Sequence, residues 1–292
     1  MNRLKQIRQN KTKTVFIVTG FVIFVLLVGA AITYFTTGEI FTGIMIAIVL
    51  GGGYTLMMIM SSTNVVMRMN HAHEVKDRSE NIPLWEAVDN MAMVARIPRP
   101  RLFIIKDPSP NAFATGTSPK NGAVAVTTGL LDTLNNEEVE GVIAHEVAHI
   151  QNYDIRLSTI AVALVSAVAI LTDIGMRMMI FNRGGGNNKQ HPLMLIVALV
   201  LIILAPVIAT MIQLAISRNR EYLADASAAE LTRNPHALAS ALRKITGVER
   251  PVQEASGTSA SLYFADPLKK KVAGLFSSHP PPKNRIERLQ NM

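Results

Sequence analysis

Residues 135–154 read NNEEVEGVIAHEVAHIQNYD, and within them His145, Glu146 and His149 form the pattern HExxH. Residues four apart share one face of a helix, so the two imidazoles can bind the same metal ion. The glutamate beside them can reach a metal-activated water as a general base. The simpler alternative is a polar helix with two surface histidines, because so short a pattern also occurs by chance.

The same segment carries the signals of a helix start. Asn135 or Asn136 stands at the N-cap, and Glu138 lies three residues after Asn135, as in a capping box. Polar residues also flank HExxH on both sides, at 135–140 and 151–154. These flanks disfavour a position of the motif inside a membrane span.

The composition limits what can hold a metal here. The chain has 292 residues, 49% of them hydrophobic and 17% charged, and no cysteine. A metal must therefore be held by histidine and carboxylate, and disulfide frameworks and cysteine-ligated clusters are excluded. The net charge of +8 lies mostly beside apolar runs. Since no nucleic-acid-binding motif is present, we expect no nucleic-acid partner.

A catalytic zinc uses three protein ligands and one open position. A further histidine just downstream is absent, because Asn152 and Ile155 occupy the positions where the extended motif needs glycine and histidine. Glu221 is the best remaining ligand if the apolar runs between it and His149 form an up-and-down hairpin. Asp225, four residues later, is then placed to hydrogen-bond a ligand imidazole. The alternative for this acidic pair is an ordinary capped or ion-paired helix start.

Four apolar runs are candidate membrane spans. Val15–Phe35 and Ile40–Met60 are uncharged for 21 residues each, enough to cross the hydrocarbon of a bilayer as a tight hairpin. Leu157–Thr172 and Leu193–Ile216 form the second candidate pair. A buried helical hairpin of the soluble domain remains the alternative for that second pair.

The charges beside the first run predict the orientation in the membrane. Basic residues precede it, whereas its exit loop carries none, so the positive-inside rule places the N-terminus in the cytoplasm. Two hairpins return the chain to the cytoplasm each time, which places the active site and the C-terminus there as well. The basic residues are Arg3, Lys5, Arg8, Lys11 and Lys13.

The soluble region is predicted to combine helices with a small antiparallel β-meander. A helix follows Pro83, and β-like runs separated by turn residues follow it at Arg101–Lys106, Asn111–Gly116 and Ala123–Thr128. We therefore expect a mainly α integral membrane protein with an α+β catalytic domain. The expected divisions are a basic tail at 1–13, a hairpin at 14–61, a first catalytic segment at 62–154, a second hairpin at 155–217 and a second catalytic segment at 218–292.

Several motifs in a fixed order resemble the bacterial HtpX family of heat-shock-linked membrane zinc metalloproteases, which are related to CAAX prenyl endopeptidases. The resemblance spans nearly the whole chain. Its motifs are NAFATG at 111–116, HEVAH at 145–149, REYLAD at 220–225 and HPPPKNR at 279–285. It implies a gluzincin-type domain in the bacterial inner membrane, one zinc ion per chain, and polypeptide substrates, among them membrane proteins, in quality control.

The resemblance also implies roles for single residues. His145, His149 and Glu221 would hold the zinc, with Glu146 as the base and Asp225 supporting a ligand. His279 would help to stabilise the transition state and Arg285 would support the site. Asn111 would lie near the substrate cleft, where an edge strand could hold an extended peptide.

Two other classes of protein compete with this interpretation. The first is a non-catalytic membrane adaptor with a structural metal site, which would need four protein ligands where three can be named. The second is a small transporter, which is disfavoured because no charged residue interrupts the first, second or fourth apolar run.

Overall fold

The computed structural model describes residues 3–181, 218–255, 259–268 and 280–292. The predicted fourth apolar run, Leu193–Ile216, lies outside the described residues. The same holds for His279.

The N-terminal region is a pair of long antiparallel helices. The first, α1, is Arg3–Thr37. The second consists of α2 (Ile40–Ile46), a π-helical stretch at Ala47–Gly52 and α3 (Gly53–Met60). The backbones touch at Gly29 and Gly43, since a Cβ added to Gly43 would lie 2.3 Å from the Gly29 carbonyl oxygen. The expected basic tail is helical from Arg3 onward and continuous with the first apolar run.

Two described helical stretches are long and apolar enough to cross a membrane, Arg8–Ala30 and Ile40–Met60. Only 17% and 22% of their most apolar windows are buried within the fold, whereas the core helix of a soluble protein would be mostly buried. Large apolar side chains face outward along both, such as Phe16 and Phe41, which are 73% and 72% exposed. So large an exposed apolar surface fits contact with lipid.

The sheet has four strands in the order β1-β2-β4-β3. After helix α4 (Ser62–Met69) come β1 (His73–Val75) and helix α5 (Ile82–Val94). The remaining strands are β2 (Arg101–Ile105), β3 (Ala112–Thr115) and β4 (Ala123–Thr127). Strands β2 and β4 are parallel, and both other pairs are antiparallel.

The predicted antiparallel meander is therefore wrong in its topology, although each of the three predicted runs coincides with an observed strand. The connection from β2 to β3 crosses the end of β4, where the Thr128 hydroxyl and the Gly129 N–H both donate to the Asp107 carbonyl oxygen at 2.9 Å. A Cβ on Gly129 would lie 2.1 Å from the Pro108 carbonyl oxygen, so only glycine allows this approach. This crossing leaves β3 on the outer side of β4.

The remaining helices surround a central one. They are α6 (Thr128–Thr133), α7 (Asn136–Gln151), α8 (Asp154–Phe181), α9 (Arg218–Thr232), α10 (Pro235–Gly247) and α11 (Pro282–Gln290). Helix α7 carries HExxH and is buried for most of its length. Its capping box is confirmed, with Asn135 Oδ1 accepting from the Glu138 N–H and Glu138 Oε2 from the Asn135 N–H, both at 2.9 Å. The central helix is thus fixed at its start by local sequence.

Helix α8 joins the central helix to the membrane helices. It contains the predicted run Leu157–Thr172, and its first half packs against α1 in an apolar cluster that includes Phe21, Leu157, Leu164 and Val168. The turn between α7 and α8 is short, with Tyr153 in a left-handed conformation at φ 60°. The helix that follows HExxH is therefore packed directly on α1.

Candidate metal centre

The predicted ligands His145, His149 and Glu221 lie together, with one ligand atom from each within 4.8 Å of the others. The two Nε2 atoms are 3.0 Å apart. Glu221 Oε1 lies 3.5 Å from the Nε2 of His149, and its Oε2 lies 3.7 Å from that of His145. The histidines occupy successive turns of α7, and Glu221 lies in the first turn of α9.

These three separations are close to those between ligand atoms in a tetrahedral zinc site. Bonds of 2.0–2.2 Å place neighbouring ligand atoms about 3.3–3.6 Å apart. The observed distances run from 3.0 to 3.7 Å. Two imidazoles and one carboxylate also form the ligand set of catalytic zinc with one position left for water. The residues therefore fit the metal that the sequence implies.

Asp225 lies one turn after Glu221 and faces the first imidazole, its Oδ1 3.0 Å from His145 Nδ1. Arg285 of α11 holds that carboxylate with two bonds, from Nε at 2.8 Å and from Nη2 at 2.7 Å. A third nitrogen, Nη1, donates to the Phe264 carbonyl oxygen at 3.2 Å and lies 3.5 Å from Glu221 Oε2. Arg285 therefore links the predicted ligand Glu221, the Asp225 carboxylate and the Phe264 segment.

Burial and neighbouring charges have opposite effects on the pKa values of His145 and Asp225. Burial disfavours the charged imidazole, but hydrogen bonds to Asp225 and Glu221 outweigh it and raise the pKa of His145 to about 9. Burial would likewise raise the pKa of Asp225, but the Arg285 guanidinium and His145 hold it at about 2. The carboxylates thus favour positive charge at the imidazole, and the same charge distribution favours a bound cation.

A second carboxylate, which the sequence analysis did not single out, faces the other imidazole. Asp154 Oδ2 lies 3.4 Å from His149 Nδ1. Its Oδ1 accepts a hydrogen bond of 2.6 Å from Asn10 Nδ2, and its carbonyl oxygen accepts one of 3.1 Å from Arg220 Nη1. The polar run after HExxH was visible in the sequence, but its partner on α1 lies 144 residues away.

Glu146 is buried beside the ligands, at 1% exposure. Burial opposes a raised pKa of Arg285, but Asp225, Glu221 and, less strongly, Glu146 raise it. Burial keeps the Glu146 carboxylate out of bulk water, on the same helix as His145 and His149.

Asn111 lies next to the edge strand and is fully buried. Its side chain donates to the Ala265 carbonyl oxygen at 2.9 Å and accepts from the Ala265 N–H at 3.2 Å. The Phe264 N–H donates to the Ala112 carbonyl oxygen at 2.8 Å, and Tyr263 forms a bridge with Phe113. The segment at 263–265 thus covers the first half of the β3 edge, and Phe264 meets the His145 ring edge-on at 4.9 Å between centroids.

A site of two imidazoles and a carboxylate, with a glutamate beside them on the same helix, is typical of metalloproteases. The sequence profile of peptidase family M48 matches residues 79–292, more than half of the chain. The chain belongs to peptidase family M48 and is a metalloprotease. The resemblance stated from the sequence motifs is therefore confirmed.

Proteins similar to this chain agree with that assignment. A protease HtpX homolog of Listeria monocytogenes serotype 4a (strain HCC23) is 56% identical over 301 aligned residues, covering 99% of both chains. A protease HtpX homolog of Leuconostoc citreum (strain KM20) is 50% identical over 296, also covering 99% of both. The crystal structure of S. mikatae Ste24p shares the fold, with a TM-score of 0.50 at 19% identity, covering 98% of this chain and 67% of that one.

Proposed function

We propose that this protein is a zinc-dependent endopeptidase of the bacterial inner membrane that cleaves membrane proteins and misfolded proteins in quality control. The observation that carries the zinc assignment is the set of separations of 3.0, 3.5 and 3.7 Å among the ligand atoms of His145, His149 and Glu221. The protease HtpX homologs, similar over their whole length, support a proteolytic function. The role in quality control rests on the family resemblance of the sequence motifs.

Zinc held by these ligands supplies Lewis-acid activation of a water molecule and of the substrate carbonyl. Glu146 accepts the proton of the attacking water at its carboxylate and then delivers it to the leaving amine. His145 and His149 bind through Nε2, which leaves each Nδ1–H to face a carboxylate, that of Asp225 or Asp154. The ligand rings are thereby fixed in orientation and in tautomer.

Three further residues that the family resemblance singles out are also assigned roles. His279 is proposed to stabilise the oxyanion, although it lies outside the described residues. Arg285 holds Asp225 and the Phe264 carbonyl oxygen through its bonds of 2.7 to 3.2 Å. Asn111 orients the 263–265 segment through Ala265. An extended peptide is proposed to bind along the remaining edge of β3.

Zinc content and cleavage test the function together. We expect the detergent-purified protein to contain one zinc per chain and to digest casein, and we expect a chelator to abolish the digestion. Restoring zinc should restore activity. A protein that keeps its zinc but never cleaves would instead be the non-catalytic adaptor, and one without zinc would contradict the metal assignment.

The proposal also includes four membrane spans, with α8 as the third span and the run at 193–216 as the fourth. The contact between Asn10 and Asp154 supports it, because α8 starts beside the start of α1. Both helices then share one apolar cluster as far as Val168, so they would enter the bilayer from the same side. That side is the cytoplasm if the basic N-terminus lies there.

The absence of cysteine from the chain allows a sharp test of this topology. A single cysteine at exposed Lys120, in the catalytic domain, should react with a membrane-impermeant maleimide only after cells are permeabilised. A cysteine at Glu39, between the first two spans, should react in intact cells. Labelling of Lys120→Cys in intact cells, with Glu39→Cys protected, would reverse the orientation.

A further inference from the structure

Asp154 lies where three helices of the protein meet. It is the first residue of α8 and is 2% exposed. One oxygen accepts from Asn10 of α1, and the other faces His149 of α7. Its carbonyl oxygen accepts from Arg220, which directly precedes the proposed ligand Glu221 in α9.

An aspartate in the first turn of a helix usually interacts with the free backbone N–H groups of that turn. Asp154 does not act in that way within the described residues, since neither of its oxygens bonds to a backbone N–H of α8. Both oxygens instead point to side chains of other helices. The Asp154 carboxylate therefore makes tertiary contacts and does not bond to the start of its own helix.

The partner of Asp154 on α1 is also unusual. Asn10 is 4% exposed and lies within the stretch Arg8–Ala30 that is apolar enough to span a membrane. A buried amide costs free energy unless it is hydrogen-bonded, and Asn10 directs its amide at Asp154 across 2.6 Å. The membrane helix thus contributes a specific polar contact to the turn that follows HExxH.

We propose that Asn10 and Asp154 are positioning residues through which the first membrane helix fixes the His149 imidazole for metal binding. The proposal rests on the function proposed above, because it requires a metal at His149. Asn10 orients the Asp154 carboxylate, and Asp154 accepts a hydrogen bond from the protonated Nδ1 of His149 so that Nε2 faces the metal. The N-terminal helix is then a component of the metal site as well as an anchor.

The geometry explains why the carboxylate needs a partner of its own. At 3.4 Å the contact of Asp154 with His149 is a long hydrogen bond, so its strength depends on how firmly the carboxylate is held. The His149 side chain is 14% exposed, against 1% for His145, so packing restrains it less. His145 has the matching arrangement, because Asp225 faces its Nδ1 and Arg285 holds Asp225.

The rate at which zinc leaves for a chelator tests this directly, using the full chain in detergent. Removing a residue that hydrogen-bonds to a metal ligand typically weakens metal binding 10–100-fold. We expect Asn10→Ala and Asp154→Asn to speed zinc release by about that factor. The matched control is Thr12→Ala, since Thr12 is exposed on the same helix and, among the described residues, its hydroxyl bonds to the Arg8 carbonyl oxygen.

Two further measurements separate positioning from general destabilisation. The visible spectrum of the cobalt-substituted protein should change in Asn10→Ala, because cobalt reports ligand geometry, and should stay unchanged in Thr12→Ala. In the double variant, Asn10→Ala should add little to Asp154→Asn if the amide acts through the carboxylate. If the effects of the two substitutions on zinc release were fully additive, Asn10 could not be acting through Asp154.

The result that overturns the inference is a wild-type protein that binds zinc and cleaves casein, with both variants releasing zinc at the wild-type rate. That outcome leaves the proposed function intact. If the wild-type protein bound no zinc, that result would instead contradict the proposed function itself. The two failures are therefore distinguishable in one set of samples.

Discussion

Glu146→Gln should abolish casein cleavage while leaving one zinc ion bound per chain. The amide keeps the size of the side chain but cannot accept the proton of the attacking water. A positioned general base contributes 10²–10⁴-fold to rate, so we expect kcat/KM to fall on the order of 10³-fold. Zinc content should not change, because the proposed ligands are His145, His149 and Glu221.

The matched control for this variant is Glu140→Gln, the same chemical change earlier on α7. It should cleave at close to the wild-type rate. Zinc analysis and steady-state cleavage of both variants, made side by side, check the prediction. A Glu146→Gln protein with wild-type kcat/KM would show that another group accepts the proton.

Local patterns predicted those regions of the fold that short-range chemistry determines. The capping box at Asn135 and Glu138 has the predicted bonds, because both partners lie within one helical turn. The strand at Arg101–Ile105 follows from its residue types and its flanking turns. The prediction of strand order was wrong, because turn residues indicate where the chain reverses but not which strand the next strand pairs with. The three-residue strand His73–Val75 is too short to leave a periodic pattern.

Within the site as well, contacts between residues close in sequence could be predicted from their spacing, whereas contacts between distant residues could not. His145 and His149 could be paired from their spacing, because one helix holds both. Glu221 required the further assumption of a helical hairpin between it and α7, and the three ligand atoms do lie together. Asp154 could not be assigned a role, since its partner Asn10 comes from a helix 144 residues earlier. Only tertiary packing brings such a pair into contact.

The segment that bears Phe264 makes a related connection to α4, the helix that follows the second membrane helix. Asn70, at the end of α4, is buried and its Oδ1 accepts from the Ser259 hydroxyl at 2.8 Å and from the Tyr263 hydroxyl at 3.0 Å. Phe264 then packs on His145 and offers its carbonyl oxygen to Arg285. Helix α1, through Asn10, and helix α4, through Asn70, thus each make a polar contact that leads towards the metal centre.

Arg285→Met should destabilise the protein more than any surface change on the same helix. Arg285 is 1% exposed and its guanidinium holds the Asp225 carboxylate with two hydrogen bonds. Methionine fills some of the space but leaves Asp225 as a buried charge without its cation. Breaking a buried pair from one side typically costs about 3–5 kcal/mol. The arginine would also no longer hold the Phe264 carbonyl oxygen.

Thermal unfolding in detergent measures this loss, with Arg288→Met as the control. Arg288 is exposed one turn later on α11 and contacts the face of Tyr222, so its replacement should change stability by about 1 kcal/mol or less. The double variant Arg285→Met with Asp225→Asn should recover some of the lost stability, because the uncompensated charge is gone. Equal unfolding temperatures for Arg285→Met and Arg288→Met would mean that Asp225 does not depend on its guanidinium partner, and the pair could not be what holds His145 in place.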